Sequence, residues 1–176
     1  MPGYLLDTQT ISYWFDEKSE HFPAVEANAR GRAADSPLYV SAITLGEIEY
    51  GHALNPDGAG AKRDEFLRLL RKELPQTLEV SHDTAEPYGR VRAHLAQKFP
   101  PAGGWSKKKR AEQMYDPVAA RELGIDENDL WLVAQAVERN LVLVSSDKMR
   151  RIREVVVQVY SGFRAEDWSV VSPAGA

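Results

Sequence analysis

Short apolar runs alternate along the chain with longer segments in which apolar residues recur every three or four positions. The short runs are typical of buried strands, and the longer repeats are typical of amphipathic helices. The predicted strands are YLLD (Tyr4–Asp7), LYVS (Leu38–Ser41), TLEVS (Thr77–Ser81), LVLVSS (141–146) and EVVVQVY (154–160).

Predicted helices fill most of the intervals between these strands. They are TQTISYWF (8–15), EHFPAVEANARGRAAD (20–35), AITLGEIEYGHAL (42–54), AKRDEFLRLLRKEL (61–74), DTAEPYGRVRAHLAQKF (83–99), ENDLWLVAQAVERN (127–140) and DKMRRI (147–152), with NPDGAG (55–60) as a loop. An alternation of strands and helices predicts an α/β fold, in which helices cover both faces of a mainly parallel sheet.

Four carboxylates fall near one edge of this predicted sheet. Asp7 ends the first strand, Asp147 follows LVLVSS, Glu47 lies early in the helix after LYVS, and Asp129 lies in the first turn of the helix that leads into LVLVSS. Ligands of parallel sheets bind beyond the carboxyl ends of the strands, where the strand order reverses. Clustered anions repel one another, so protons or cations must relieve them. Hard oxygen ligands favour Mg²⁺ or Mn²⁺ over zinc.

Each of these acids also has a purely structural interpretation. Asp129 can complement a helix dipole, Glu47 can complete a capping box with Thr44, and Asp147 can cap the helix that follows it. Asp7 has a capping role only if the residues after it turn helical. Taken one at a time, the structural interpretations are at least as common as a metal site. Taken together, the shared edge favours the metal site.

Composition narrows the remaining function classes. The chain has 176 residues, of which 43% are hydrophobic and 27% charged, with a net charge of −4 and no cysteine. These values predict one domain over residues 1–176 and exclude thiolate catalysis, disulfides and cysteine-bound zinc. They also argue against nucleic-acid binding by bulk positive charge. With no signal peptide or membrane span in evidence, we expect a cytoplasmic protein.

Four blocks follow one another over nearly the whole chain: YLLDTQTIS, YVSAITLGEIEYG, GIDENDLWLVAQAVERNLVLVSSD and EDW (166–168). In this order they resemble the successive blocks of PIN-domain nucleases of the VapC type, the toxins of VapBC toxin–antitoxin pairs. The resemblance implies a three-layer α/β/α sandwich. It also implies that Asp7, Glu47, Asp129 and Asp147 bind Mg²⁺ or Mn²⁺ and hydrolyse RNA, with Ser145 supporting the site. An antitoxin that blocks the acidic site and a homodimer are implied as well.

The chain departs from the family pattern in two places. Gln9 stands two residues after the first acid, where the family usually has asparagine, so a polar contact that orients the site is expected to be longer or displaced. Residues 100–117 form a longer, basic inserted loop than is usual in such toxins. Neither departure removes a predicted ligand.

Basic and aromatic side chains supply candidate contacts to RNA and antitoxin. KMRRIR (148–153) begins at the functional edge of the sheet, so Lys148, Arg150 and Arg151 are candidates for binding the RNA backbone. SKKKR (106–110) is more simply a solvated charge run. Part of the apolar patch at ISYWF (11–15) is predicted to receive the antitoxin, in which case alanine at Trp14 and Phe15 weakens the complex without unfolding the chain.

Competing functions fit less well. A haloacid-dehalogenase-like phosphatase needs a second acid two residues after the first, where this chain has Gln9. No phosphate-binding glycine motif occurs, and the paired early acids of a receiver domain are missing. The alternative that stays open is a PIN-fold module that binds RNA or protein without turnover.

Overall fold

The computed structural model describes residues 1–54, 56–100, 110–116, 121–122 and 124–170. Contacts divide the chain into two compact units. Unit 1 comprises Met1–Glu79, Leu141–Asp147 and Arg164–Ala176, and unit 2 comprises Val80–Asn140 and Lys148–Phe163. The prediction of one domain over 1–176 stays a prediction.

Unit 1 is built on a parallel sheet. Within the described residues its five strands are ordered β3-β2-β1-β6-β7, with bounds β1 Tyr4–Leu6, β2 Leu38–Ser41, β3 Gln76–Leu78, β6 Val142–Val144 and β7 Arg164–Glu166. The chain first builds outward from β1 to β2 and β3, and later adds β6 and β7 on the other side of β1. The strand order therefore reverses between β1 and β6, which is where ligands of open parallel sheets bind.

Four helices accompany this sheet in the described part of unit 1: α1 Thr8–Phe15, α2 Phe22–Gly31, α3 Ala42–Ala53 and α4 Pro56–Glu73. Their inward faces join the strands in one apolar core, whose members include Leu6, Val40, Val144, Ile11, Val25, Ile48, Leu70 and Trp168. Burial of Leu5 and Leu6 in β1 and of every residue of β6 explains their unbroken apolar sequences, because a strand covered on both faces has no polar side.

Trp14 belongs to this core, which corrects the predicted antitoxin surface. Its side chain is only 4% exposed, and Ile11 is fully buried. The indole N–H donates to Glu26, and Phe15 packs its ring 5.6 Å from that of Trp14 and 5.0 Å from that of Phe66. Alanine at Trp14 would remove core packing. The prediction that it spares the fold is therefore wrong.

Unit 2 contains α5 Ala85–Lys98, α6 Glu127–Glu138 and α7 Arg150–Val159, together with a short antiparallel pair, β4 Tyr115–Asp116 and β5 Arg121–Glu122. Helix α5 packs against both α6 and α7. Much of the predicted inserted loop, 101–109 and 117, lies outside the described residues. Among the residues that are described, no helix has the length and apolar character needed to cross a membrane.

One predicted strand near the C-terminal end of the chain is wrong, and another strand was not predicted. EVVVQVY is not a strand: all of it but Tyr160 belongs to α7, the helix that begins at Arg150 within DKMRRI. Helical spacing buries Ile152, Val155 and Val156 on one stripe, and this packing outweighs the strand preference of valine. The last strand among the described residues is β7, whose sequence RAE is too polar to be predicted from its pattern.

The predicted loop NPDGAG is also wrong from its second residue onward, because α4 already begins at Pro56. Proline is favoured at the first position of a helix, where its fixed φ is suitable and its missing N–H has no helical acceptor. Burial of Leu70 and Leu74 in the core of unit 1 stabilises the rest of the helix despite its two glycines.

Gly3 provides a test of how tightly β1 is held. A Cβ atom at Gly3 would lie 2.6 Å from Cε2 of Tyr39, 3.1 Å from Cδ2 of Leu141 and 3.2 Å from Cγ of Pro37. Gly3→Ala should therefore lower the free energy of unfolding by about 1–3 kcal/mol, as overpacking does. Thermal or urea unfolding measures this change.

Gly89→Ala is the matched control. Gly89 lies inside α5, where an added Cβ meets nothing within 4 Å. Alanine should raise stability there by about 0.5–1 kcal/mol, because glycine is the poorer helix former. Equal effects of the two substitutions would contradict the close packing at Gly3.

Candidate active site

Asp7 lies at the junction of β1 and α1, directly at the strand-order reversal. It is 6% exposed, and it caps α1 by accepting a hydrogen bond of 2.7 Å from the backbone N–H of Thr10. The chain does turn helical after Asp7, so the carboxylate has a capping role as well as a place at the functional edge. Burial raises the pKa of the Asp7 carboxyl, hydrogen bonds from Ser145 and Thr10 lower it, and the charge of Asp147 raises it further.

Asp147 lies in the turn after β6, the strand next to β1. Its backbone N–H donates to the hydroxyl of Ser145 at 3.1 Å, and Ser145 itself is fully buried and bonded to Asp7. The capping interpretation of Asp147 is wrong, because α7 begins at Arg150 with Met149 at its N-cap position. Ser145 thus links the two aspartates, and its role in supporting a metal site stays a prediction.

Glu47 lies on α3 and accepts a hydrogen bond from the hydroxyl of Thr8, the residue after Asp7. It belongs to no capping box: α3 begins at Ala42 and is capped by Ser41, whose hydroxyl accepts from the N–H of Ile43 at 3.0 Å. Unit 1 therefore brings Glu47 next to the Asp7 junction through Thr8. The sequence gives no spacing rule by which this long-range contact can be predicted.

Asp129 lies in unit 2, half-buried in the first turn of α6. The N-cap of that helix is Asp126, which accepts from the N–H of Asn128 at 2.7 Å. Asp129 is therefore not needed as a cap, although its charge still suits the helix dipole. Its meeting with the other three acids stays a prediction.

The side-chain amide of Gln9 makes two hydrogen bonds. Its amide nitrogen donates to the hydroxyl of Tyr13 at 2.7 Å, and its amide oxygen accepts from the hydroxyl of Ser146 at 3.1 Å. The first partner has the i,i+4 spacing of a helix, so it was open to prediction. The second partner, Ser146, is distant in sequence, so this hydrogen bond could not be predicted.

The three cations proposed for RNA binding have different environments within unit 2. Lys148 and Arg150 are exposed. Arg151 is ion-paired with Glu154 at 3.1 Å, and its guanidinium lies 4.9 Å from the ring centroid of Phe99. Arg151 is thus engaged in packing α7, whereas the other two can reach solvent.

The chemistry of the donor set in unit 1 suits a hard divalent cation. Asp7, Glu47 and Asp147 offer carboxylate oxygens, and the partial burial of mutually repelling anions is relieved when a cation binds. Among the described residues, no three acidic, histidine or cysteine side chains are already gathered in the arrangement of a metal site.

The family model of the PIN domain matches residues 4–156. The chain belongs to the PIN-domain family. This assignment and the parallel sheet confirm the predicted α/β/α fold class. Because PIN domains are nucleases that generally use divalent metal ions, it also supports the predicted enzyme class. No curated protein sequence matches the chain.

Solved structures of similar fold cover nearly all of this PIN domain. VapBC2 from Rickettsia felis, bound to a DNA fragment from its promoter, is 20% identical with a TM-score of 0.64, over 94% of this chain and 98% of the other. DNA-bound VapBC from Salmonella typhimurium is 23% identical with a TM-score of 0.61, over 96% and 99%. VapBC-1 from nontypeable Haemophilus influenzae is 19% identical with a TM-score of 0.63, over 95% and 98%. At these identities the likeness establishes the fold.

Replacing Asp7 by asparagine should stabilise the metal-free PIN domain. Because the folded-state pKa lies above the unfolded-state value, the ionised carboxyl destabilises the fold once the pH exceeds the unfolded pKa. In EDTA at pH 7, Asp7→Asn should raise the melting temperature by a few degrees, since asparagine caps a helix equally well. The gain should vanish at pH values below the unfolded pKa.

Asp7→Ala is the control for capping. It removes the same charge but also the acceptor for Thr10, which costs about 1 kcal/mol. It should therefore be less stable than Asp7→Asn under the same conditions. A lower melting temperature for Asp7→Asn than for the unsubstituted protein at pH 7 would contradict the cost assigned to the buried charge.

Proposed function

We propose that this PIN domain is a metal-dependent endoribonuclease that acts as the toxin of a VapBC-type pair. The observation that supports this most directly is the juxtaposition of Asp7 and Asp147, joined through Ser145, at the strand-order reversal. The VapBC complexes of similar fold support the toxin role and the antitoxin partner. A homodimer stays a prediction.

Asp7, Glu47, Asp129 and Asp147 would hold Mg²⁺ or Mn²⁺. Such an ion, when bound, lowers the pKa of water and offsets negative charge on the phosphate in in-line hydrolysis. The chain's own part is to orient the ligands. Thr10 fixes one oxygen of Asp7, and Thr8 holds a carboxylate oxygen of Glu47. These hydrogen bonds reduce the reorganisation that binding requires.

RNA would approach an edge that is acidic until a cation is bound. Lys148, which precedes α7, and Arg150, its first residue, are exposed and suited to binding phosphates of the RNA backbone. We do not propose this role for Arg151, because Glu154 and Phe99 already engage its guanidinium.

Cleavage of single-stranded RNA with Mg²⁺, with and without EDTA, tests the proposed activity. We expect cleavage only with the cation. Asp147→Asn should slow it by about 100-fold, because the loss of a charged ligand removes several kcal/mol of stabilisation. Asp64→Asn, which changes an exposed acid on α4, is the matched control and should leave the rate unchanged.

Three other outcomes are informative. Cleavage that persists in EDTA contradicts metal dependence. Tight RNA binding by the unsubstituted protein with no cleavage supports the alternative of a binding module without turnover. Cleavage that the purified cognate antitoxin does not suppress contradicts the toxin assignment while leaving the nuclease activity intact.

The salt dependence of RNA binding separates the cations. Measured on the inactive Asp147→Asn background, Lys148→Ala with Arg150→Ala should make the slope of log K against log salt shallower by about 1.4, as the loss of two phosphate contacts to a single strand predicts. Arg151→Ala should leave that slope unchanged and instead lower thermal stability, because it removes contacts with Phe99 and Glu154. An unchanged slope in the double variant contradicts the proposed RNA contacts.

A further inference from the structure

Hydrogen bonds hold the turn that carries Asp147. Asp147 is exposed and lies in residues 145–149, which link β6 to α7 without regular secondary structure. Apolar packing therefore cannot fix this side chain in the way that burial fixes Asp7. The hydroxyl of Ser145 holds the backbone N–H of Asp147 at 3.1 Å. Ser146 lies between Ser145 and Asp147, and its side chain is hydrogen-bonded to a residue of α1.

The residue of α1 that binds Ser146 is Gln9. Its amide oxygen accepts from the Ser146 hydroxyl, and its amide nitrogen donates to the Tyr13 hydroxyl one helical turn later. Either orientation of the amide preserves both bonds, because both hydroxyls can donate and accept. Tyr13 is half-buried, with its ring centroid 4.3 Å from that of His21. The terminal amide of this exposed glutamine is thus held by two hydroxyl groups.

We propose that Gln9 is a positioning residue, and that the chain Tyr13–Gln9–Ser146 holds the turn that carries Asp147 in its ligand-binding arrangement. The claim that Gln9 affects metal binding rests on the proposed function. The claim that Gln9 holds the turn before α7 does not, and we call it the mechanical part of the proposal. Gln9 touches neither substrate nor metal in this role. It acts through Ser146 on the neighbouring carboxylate.

The length of the side chain matters. Asparagine, the residue expected from the resemblance to PIN-domain toxins, is shorter by one methylene, about 1.5 Å. From the same backbone position it cannot make both the 2.7 Å bond to Tyr13 and the 3.1 Å bond to Ser146. Gln9→Asn should therefore impair this protein, although it moves the sequence toward the family pattern.

Amide hydrogen exchange in EDTA tests the mechanical part without any metal. Gln9→Asn should speed exchange of the Asp147 amide about fivefold, the effect of losing one ordinary hydrogen bond. The Ser145 amide, bonded to the carbonyl of Glu166 at 3.0 Å, should not change. Gln97→Asn, an exposed position on α5, controls for the lower helix propensity of asparagine. Equal Asp147 exchange in the Gln9→Asn variant and the unsubstituted protein would overturn the proposal.

Calorimetric titration with Mn²⁺ tests the consequence for the site. Gln9→Asn should weaken Mn²⁺ affinity about tenfold, as loss of an outer hydrogen-bond partner does, with no loss for Gln97→Asn. Ser146→Ala should match it, and the double variant should be no weaker than either alone, because both changes break one chain. Affinity in Gln9→Asn equal to that of the unsubstituted protein overturns the positioning role. Absence of Mn²⁺ binding by the unsubstituted protein overturns the proposed metal site, and the exchange data then decide the mechanical part.

Discussion

A buried negative charge at the end of β1 constrains the architecture around it. Asp7 is almost inaccessible to water and faces the like charge of Asp147, and both effects raise its pKa. Hydrogen bonds from Thr10 and Ser145 offset part of this cost. Thr10 follows β1 and Ser145 follows β6, so the parallel pairing of these two strands brings both donors to the carboxylate.

The Asp7 carboxylate affects the stability of the fold in two opposite ways. As an N-cap it stabilises α1, and asparagine could replace it in that role without loss. As a charged group it destabilises the metal-free protein. The cost is understandable if a divalent cation normally balances the charge, because a cation that binds only the folded chain adds its binding free energy to stability.

The elements that sequence predicts well are those whose periodicity and burial agree. YLL and LVLV are continuous apolar runs, and they are found as β1 and β6. The pattern fails where local preference and tertiary packing disagree. Valines that favour a strand are drawn into α7 because Ile152, Val155 and Val156 bury one stripe, and the polar segment RAE becomes β7 only because β6 offers it an edge.

In the candidate site, too, some features follow from the local sequence and others depend on tertiary packing. Asp7 and Asp147 follow from one rule, that parallel strands present their carboxyl ends at a common edge. Glu47 was placed near that edge, but its bond with Thr8 depends on how α1 and α3 pack, which no local signal encodes. Gln9 was recognised as a departure from a pattern. Its contact with Tyr13 has helical spacing, but its contact with Ser146 depends on the packing of the turn after β6 beside α1, which no local signal encodes.

The position of β1 in the sheet also determines when the acidic pair can form during synthesis. β1 is synthesised well before β6, its neighbour at the strand-order reversal, because α1 to α6 lie between them in the sequence. Pairing of such distant segments is slow, since a long loop must close before any contact is gained. A nascent chain therefore carries Asp7 without Asp147 while all of these helices are being made. If the site cuts RNA, this order of assembly keeps the growing polypeptide harmless to the messenger and ribosome that are producing it.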